Sequence, residues 1–127
     1  MSVIEFDNVG RRFERDGQLF PALENVGLTV ADKEFVALVG PSGCGKTTCL
    51  RMAAGFEVPS SGRVLVGGVP VDGPGPDRAV VFQQFALFPW KSVADNIAFG
   101  LRNKGMPGAE RQHRVAAVIK LMGLEGY

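Results

Sequence analysis

The sequence predicts an α/β fold: a mainly parallel sheet with helices, preceded by an antiparallel β region. Three observations carry this. Apolar and polar residues alternate from Ile4 to Val9 and, more weakly, across "LENVGLTV". Two short, nearly continuous apolar runs, "EFVALVG" (Glu34–Gly40) and "AVVFQ" (Ala79–Gln83), suit strands buried on both faces of a parallel sheet. Helical spacing of apolar residues then dominates the last third of the chain.

The antiparallel region comes first. Between its two alternating segments lies a charged stretch containing Asp16-Gly17, which predicts a hairpin with a long loop. The run Glu34–Gly40 follows. "KTTCLRMAAG" (Lys46–Gly55) reads as a helix, with Leu50, Ala53 and Ala54 on one side and Gly55 as its stop. Gly62–Val66 reads as a strand ending at a Gly67-Gly68 turn, and "DGPGPDR" as a loop.

After Ala79–Gln83 the stretch "QFALFPWKS" is irregular and aromatic-rich. Ser92 reads as an N-cap, with Asp95 three residues on. Val93, Ile97 and Leu101 recur at helical spacing, and "NKGMPG" breaks that helix. Ala109–Met122 is helical again, with Val115, Val118, Ile119 and Met122 on one face.

Bulk composition narrows the function classes. Fourteen basic and 13 acidic residues leave a net charge of +1, which gives no general attraction to nucleic acid or anionic lipid. No apolar run approaches the ~18 residues of a membrane span. "MSVIEFDNVG" has neither the basic nor the apolar region of a secretory signal, so a cytosolic chain is expected. Cys44 and Cys49 match neither a zinc knuckle nor a CxxC pair. His113, the only histidine, lies on a basic helix and is given no catalytic role.

The chemistry concentrates in "GPSGCGKTT". Gly40–Thr47 satisfies G-x-x-x-x-G-K-[ST] in full, between an apolar run and a helix. Gly40, Gly43 and Gly45 let the backbone curl so that successive N–H groups point inward. Pro41, Ser42 and Cys44 fill the variable positions, and the helix start at Lys46, Thr47 and Thr48 adds partial positive charge. Lys46 has the reach and charge for β/γ-phosphates, and the Thr47 hydroxyl is placed for Mg²⁺. Cys44 has two readings: a thiol made reactive by Lys46 and the helix start, or a packed, inert one.

Thirty-nine residues precede Gly40 and read as an antiparallel β unit. In small-molecule kinases and small GTPases the loop lies near the N-terminus. This arrangement instead resembles the ATP-binding subunits of ABC transporters, whose core is that of P-loop NTPases. Phe13, ending "RRF", stands where that family places an aromatic that stacks on adenine. "TTCLRMAAGFEVPSSGRVLVGG" is similar to its helix, turn and strand after the phosphate loop. "VVFQ" puts Gln83 at the glutamine that contacts Mg²⁺ or the attacking water. Gln84 is one residue away, and a one-residue slip would reverse the face presented. "GPGPDRAVVFQ" is most similar to importers of nitrate, sulfonate, taurine and related solutes.

The resemblance implies ATP and Mg²⁺ as cofactors, with Lys46 and Gln83 as catalytic residues and Thr47 and Gln83 on the metal. It implies a second ATP-binding subunit, as a homodimer, and a transmembrane permease as partners, with no nucleic acid. The subunit would sit on the inner face of the membrane through the permease. Phe85, Phe88 and Trp90 either fold onto the core or belong to the surface that docks it.

The resemblance divides the chain into residues 1–39 (antiparallel β), 40–92 (phosphate-loop core to Gln83 and its following segment) and 93–127 (start of a helical subdomain). It also implies elements for which no match follows Thr47: an LSGGQ-type signature, an apolar strand ending in Asp with a following Glu, and a switch histidine. "GVPVDG", ending in Asp72, carries a proline and flanking glycines that do not suit a central strand. The chain is therefore expected to be the N-terminal part of an ATPase subunit, by natural truncation or as a fragment, with a truncated helical subdomain. Two functions stand: ATP binding coupled, in a complete subunit, to hydrolysis and solute import, or a non-catalytic nucleotide-binding or interaction fragment.

Overall fold

Asp16 and Gly17 both take positive φ, 52° and 75°, and turn the chain in two residues. That is the geometry a tight hairpin needs. Strand β1 (Ile4–Arg15) and strand β2 (Gln18–Val30) therefore pair antiparallel from Ile4↔Val30 to Arg15↔Gln18. The hairpin has no long loop: the charged stretch expected to be loop is strand. The computed structural model describes residues 3–127. Asn8 and Asn25, at φ 51° and 49°, sit in the two interruptions nearest the strands' middle. Asparagine tolerates that conformation better than most residues, so these breaks have a local cause.

Strand β3 (Ser61–Val66) pairs antiparallel with the other edge of β1, and β4 (Val69–Pro70) with β3 after the Gly67-Gly68 turn. The sheet order is β2-β1-β3-β4. Helix α1 (Lys46–Ala54) lies over it. Gly55, at φ 89°, ends that helix with its N–H on Met52 O, while Phe56 N–H reaches Arg51 O. Phe6, Val9, Leu23, Cys49, Met52 and Val64 form the core between sheet and helix. Met52 is 1% exposed and Val9 not at all. The buried stripe of α1 is thus Cys49, Met52 and Ala54; Leu50, expected on one side with Ala53 and Ala54, is 62% exposed.

The two apolar runs depart from expectation. Neither Glu34–Gly40 nor Ala79–Gln83 is a strand. Phe35, Val39 and Val81 are 93%, 92% and 98% exposed. An apolar run becomes a central parallel strand only when strands flank it and helices cover both faces. Among the described residues no strand pairs with either run, and every pair in the sheet is antiparallel. The α/β character stands, but the parallel sheet expected from these runs is not formed.

The chain divides into two compact units, one ending at Val81 and one spanning Phe82–Tyr127. In the second, α2 (Val93–Asn103) starts at Ser92, whose Oγ accepts from Asp95 N–H at 3.1 Å, as the capping pattern predicts. The Asp95 carboxyl is held below the usual range by hydrogen bonds from Arg102 and Ser92. Asn96 ties the preceding segment down by donating to the carbonyls of Phe88, Lys91 and Ser92. Phe88 packs on Phe99 with ring centroids 4.6 Å apart, whereas Phe85 and Trp90 stay exposed. Helix α3 (Gly108–Leu121) packs on α2 through Val115, and Met122 lies outside the contact, mostly exposed.

Candidate functional site

The loop Gly40–Gly45 joins the unpaired apolar run to α1, and its shape follows from its glycines. Gly45 has φ 99°, a conformation that side chains rarely adopt. A Cβ there would also lie 2.6 Å from Leu23 Cδ2 and 2.9 Å from Ala22 O. The position is closed to other residues twice over, by conformation and by the approach of β2. Gly43, at φ 80°, supplies the other left-handed step. Cys44 N–H donates to Pro41 O at 3.3 Å, closing the turn between them.

Lys46 folds back over this turn. Its Nζ donates to Gly40 O, to Pro41 O at 2.8 Å and to Cys44 Sγ at 3.4 Å. Partial desolvation pushes the Cys44 thiol up, but the hydrogen bonds and charge of Lys46 push it further down, so the net shift is downward. Cys49, on the buried side of α1, is raised by burial.

Helix α1 has no side-chain cap at Gly45 and no acidic residue in its first turn. Its first N–H groups therefore face outward beside the Lys46 ammonium. Thr47 is exposed and Thr48 half-buried at the same end. Curled backbone, uncapped helix start, one lysine and one exposed hydroxyl form an arrangement able to accept a multiply charged anion. Among the described residues no cluster of His, Cys, Asp or Glu could hold a metal by itself.

Phe13 stands on β1 opposite Phe20, 37% exposed. The same hairpin brings Leu23 against Gly45. Along β1, Phe13 is two residues beyond Arg11, the partner of Leu23, a span of about 7 Å. The Arg11 guanidinium lies over the Phe13 ring, 4.5 Å from its centroid. Sequence reading passed over Arg11; its only signal was its place two residues before an aromatic on one strand. Gln83 belongs to the other unit, exposed in a bend with Gln84, and is not among the residues assembled here.

The family model for ABC transporters matches residues 23–127. The chain belongs to the ABC transporter family. It is similar, at 55% identity over 98% of its length, to a taurine import ATP-binding protein of Chromobacterium violaceum, of which it covers 47%. An uncharacterized ABC transporter ATP-binding protein of Methanocaldococcus jannaschii is 48% identical over 98% of this chain and 46% of that protein. This ABC chain thus spans about half the length of the curated relatives it matches. Among solved structures, a dimeric ATP-binding cassette in a post-hydrolysis state with ADP and Pi matches with TM-score 0.82 and 30% identity. That match covers 97% of this chain and 58% of the cassette. No helix among the described residues is long and apolar enough to cross a membrane.

Proposed function

We propose that this chain binds MgATP through Gly40, Pro41, Ser42, Gly43, Cys44, Gly45, Lys46, Thr47 and Thr48, with the base against Phe13. The observation that carries the reading is the loop around Gly45, closed by Leu23, with Lys46 lying over it. Backbone N–H groups and Lys46 hold the phosphates, the latter by releasing the carbonyls of Gly40 and Pro41. Mg²⁺, when bound with ATP, would be held by Thr47 and, as the family resemblance implies, by Gln83, and would neutralise phosphate charge.

Phosphoryl transfer is mostly positioning and electrostatic stabilisation around the γ-phosphate. This chain supplies one side of such a site and carries no signature, Asp-Glu pair or switch histidine after Thr47. It therefore binds nucleotide with hydrolysis near background. In a subunit of the relatives' full length, ATP would close two such subunits and hydrolysis would reopen them, driving a permease for a taurine-like small solute at the inner face of the membrane. The similarity to taurine import ATP-binding proteins supports that reading.

The experiment is equilibrium dialysis of MgATP against the chain, with phosphate release measured in parallel. Retained ATP with background release is expected. Lys46-dependent turnover would overturn the claim about hydrolysis, and no retention would overturn the claim about binding.

A further inference from the structure

Arg11 is held in an unusual way. One terminal nitrogen of its guanidinium pairs with the Glu57 carboxylate and the other donates to Ser60 Oγ at 3.3 Å. Its Nε is buried and has no hydrogen-bond partner. Buried N–H groups are rarely left unpaired, so something other than hydrogen-bond satisfaction sets this orientation. The plane instead lies over the Phe13 ring.

The two anchors come from the segment between α1 and β3, downstream of the phosphate-loop helix. Ser60 is itself fixed to β1: its N–H donates to Gly10 O at 2.8 Å, and its Oγ accepts from Arg12 N–H at 2.9 Å. Phe13, near the tip of an exposed hairpin, has no place in the buried core. Without a fixed neighbour its ring would be free to change rotamer.

We propose that Arg11, anchored by Glu57 and Ser60, is a positioning residue that holds Phe13 as a one-faced stacking platform for the nucleotide base. The guanidinium covers one face of the ring by a cation–π contact and leaves the other for a flat π-system. Leu23, opposite Arg11, touches the loop, so the clamp sets the platform at a defined offset from the phosphates. This rests on the nucleotide-binding reading above.

The test separates base from phosphates. Equilibrium binding is measured for MgATP and for magnesium tripolyphosphate, which carries the phosphates without a base. The unsubstituted chain is expected to prefer ATP. Arg11→Gln should reduce that preference about threefold or more, and Glu57→Gln should move it the same way. Arg11→Lys, which keeps the charge but not the planar fork, should restore part of it. Phe13→Ala should abolish it, and adding Arg11→Gln to Phe13→Ala should change nothing further. An equal loss for both ligands would assign Arg11 a purely structural role and overturn the proposal. So would an unchanged preference, or additive losses in the double variant. If tripolyphosphate binds and ATP gains nothing, the platform fails while the phosphate loop stands; if neither binds, both readings fail.

Discussion

Lys46 Nζ donates to Pro41 O at 2.8 Å, so the cation of the loop is bonded to the loop's own backbone. These bonds are solvent-exposed and contribute little to the fold, as exposed contacts usually do. Lys46→Ala should therefore leave the urea midpoint nearly unchanged, within about 0.5 kcal/mol of stability. MgATP affinity should fall tenfold or more, about 1.4 kcal/mol, because a charge-assisted bond to phosphate is lost. Titration calorimetry with urea unfolding of both proteins checks the pair of results.

Gly45→Ala has the opposite signature. The new Cβ meets Leu23 and the Ala22 carbonyl, and the residue must hold φ near 99°. Strain of this kind costs about 1–3 kcal/mol. The unfolding midpoint should drop visibly, and MgATP binding should weaken because the loop shifts away from β2.

Cys44 should alkylate much faster than Cys49. A lowered thiol pKa means that thiolate forms at lower pH than in an ordinary cysteine, so the reactive fraction at neutral pH is larger. Cys49 is buried and shifted the other way. Iodoacetamide labelling followed by peptide mass spectrometry should show Cys44 modified first and MgATP slowing it. Lys46→Ala should move the pH midpoint of labelling upward. Equal labelling with and without MgATP would remove the link between this thiol and the nucleotide site.

The exposed apolar side chains of Glu34–Gly40 and Ala79–Gln83 should make the isolated chain bind hydrophobic dyes and self-associate. Phe35, Val39 and Val81 expose nearly their whole side chains. Exposed apolar segments invite pairing between chains. Val81→Lys should lower dye binding and raise the concentration at which light scattering begins. Its effect on unfolding should stay within about 0.5 kcal/mol, because the side chain has no packing to lose.

What the sequence made legible was local. The Ser92 cap, the Gly55 stop and the Gly67-Gly68 turn each depend on residues within one turn of the chain, and each stands as read. Asp16-Gly17 announced a hairpin, but its tightness depended on both residues taking positive φ, which composition does not reveal. Glu34–Gly40 and Ala79–Gln83 have the composition of buried strands. Strand formation also needs a neighbouring strand, and among the described residues no strand pairs with either run.

The loop Gly40–Thr48 was readable because its chemistry depends on spacing. Arg11 was not, because its partners Glu57 and Ser60 lie more than 40 residues away, and only folding brings them to Phe13. Gln83 rests on resemblance, since it stands in the other unit.

The most direct test of the central claim is an amide and aromatic NMR titration of the chain with MgATP. Saturable shifts are expected at Gly43, Cys44, Gly45, Lys46 and Thr47 and at the Phe13 ring, with the midpoint moved to at least tenfold higher MgATP in Lys46→Ala. Shifts confined to α2 and α3, or a midpoint that Lys46→Ala leaves unchanged, would contradict nucleotide binding at this loop.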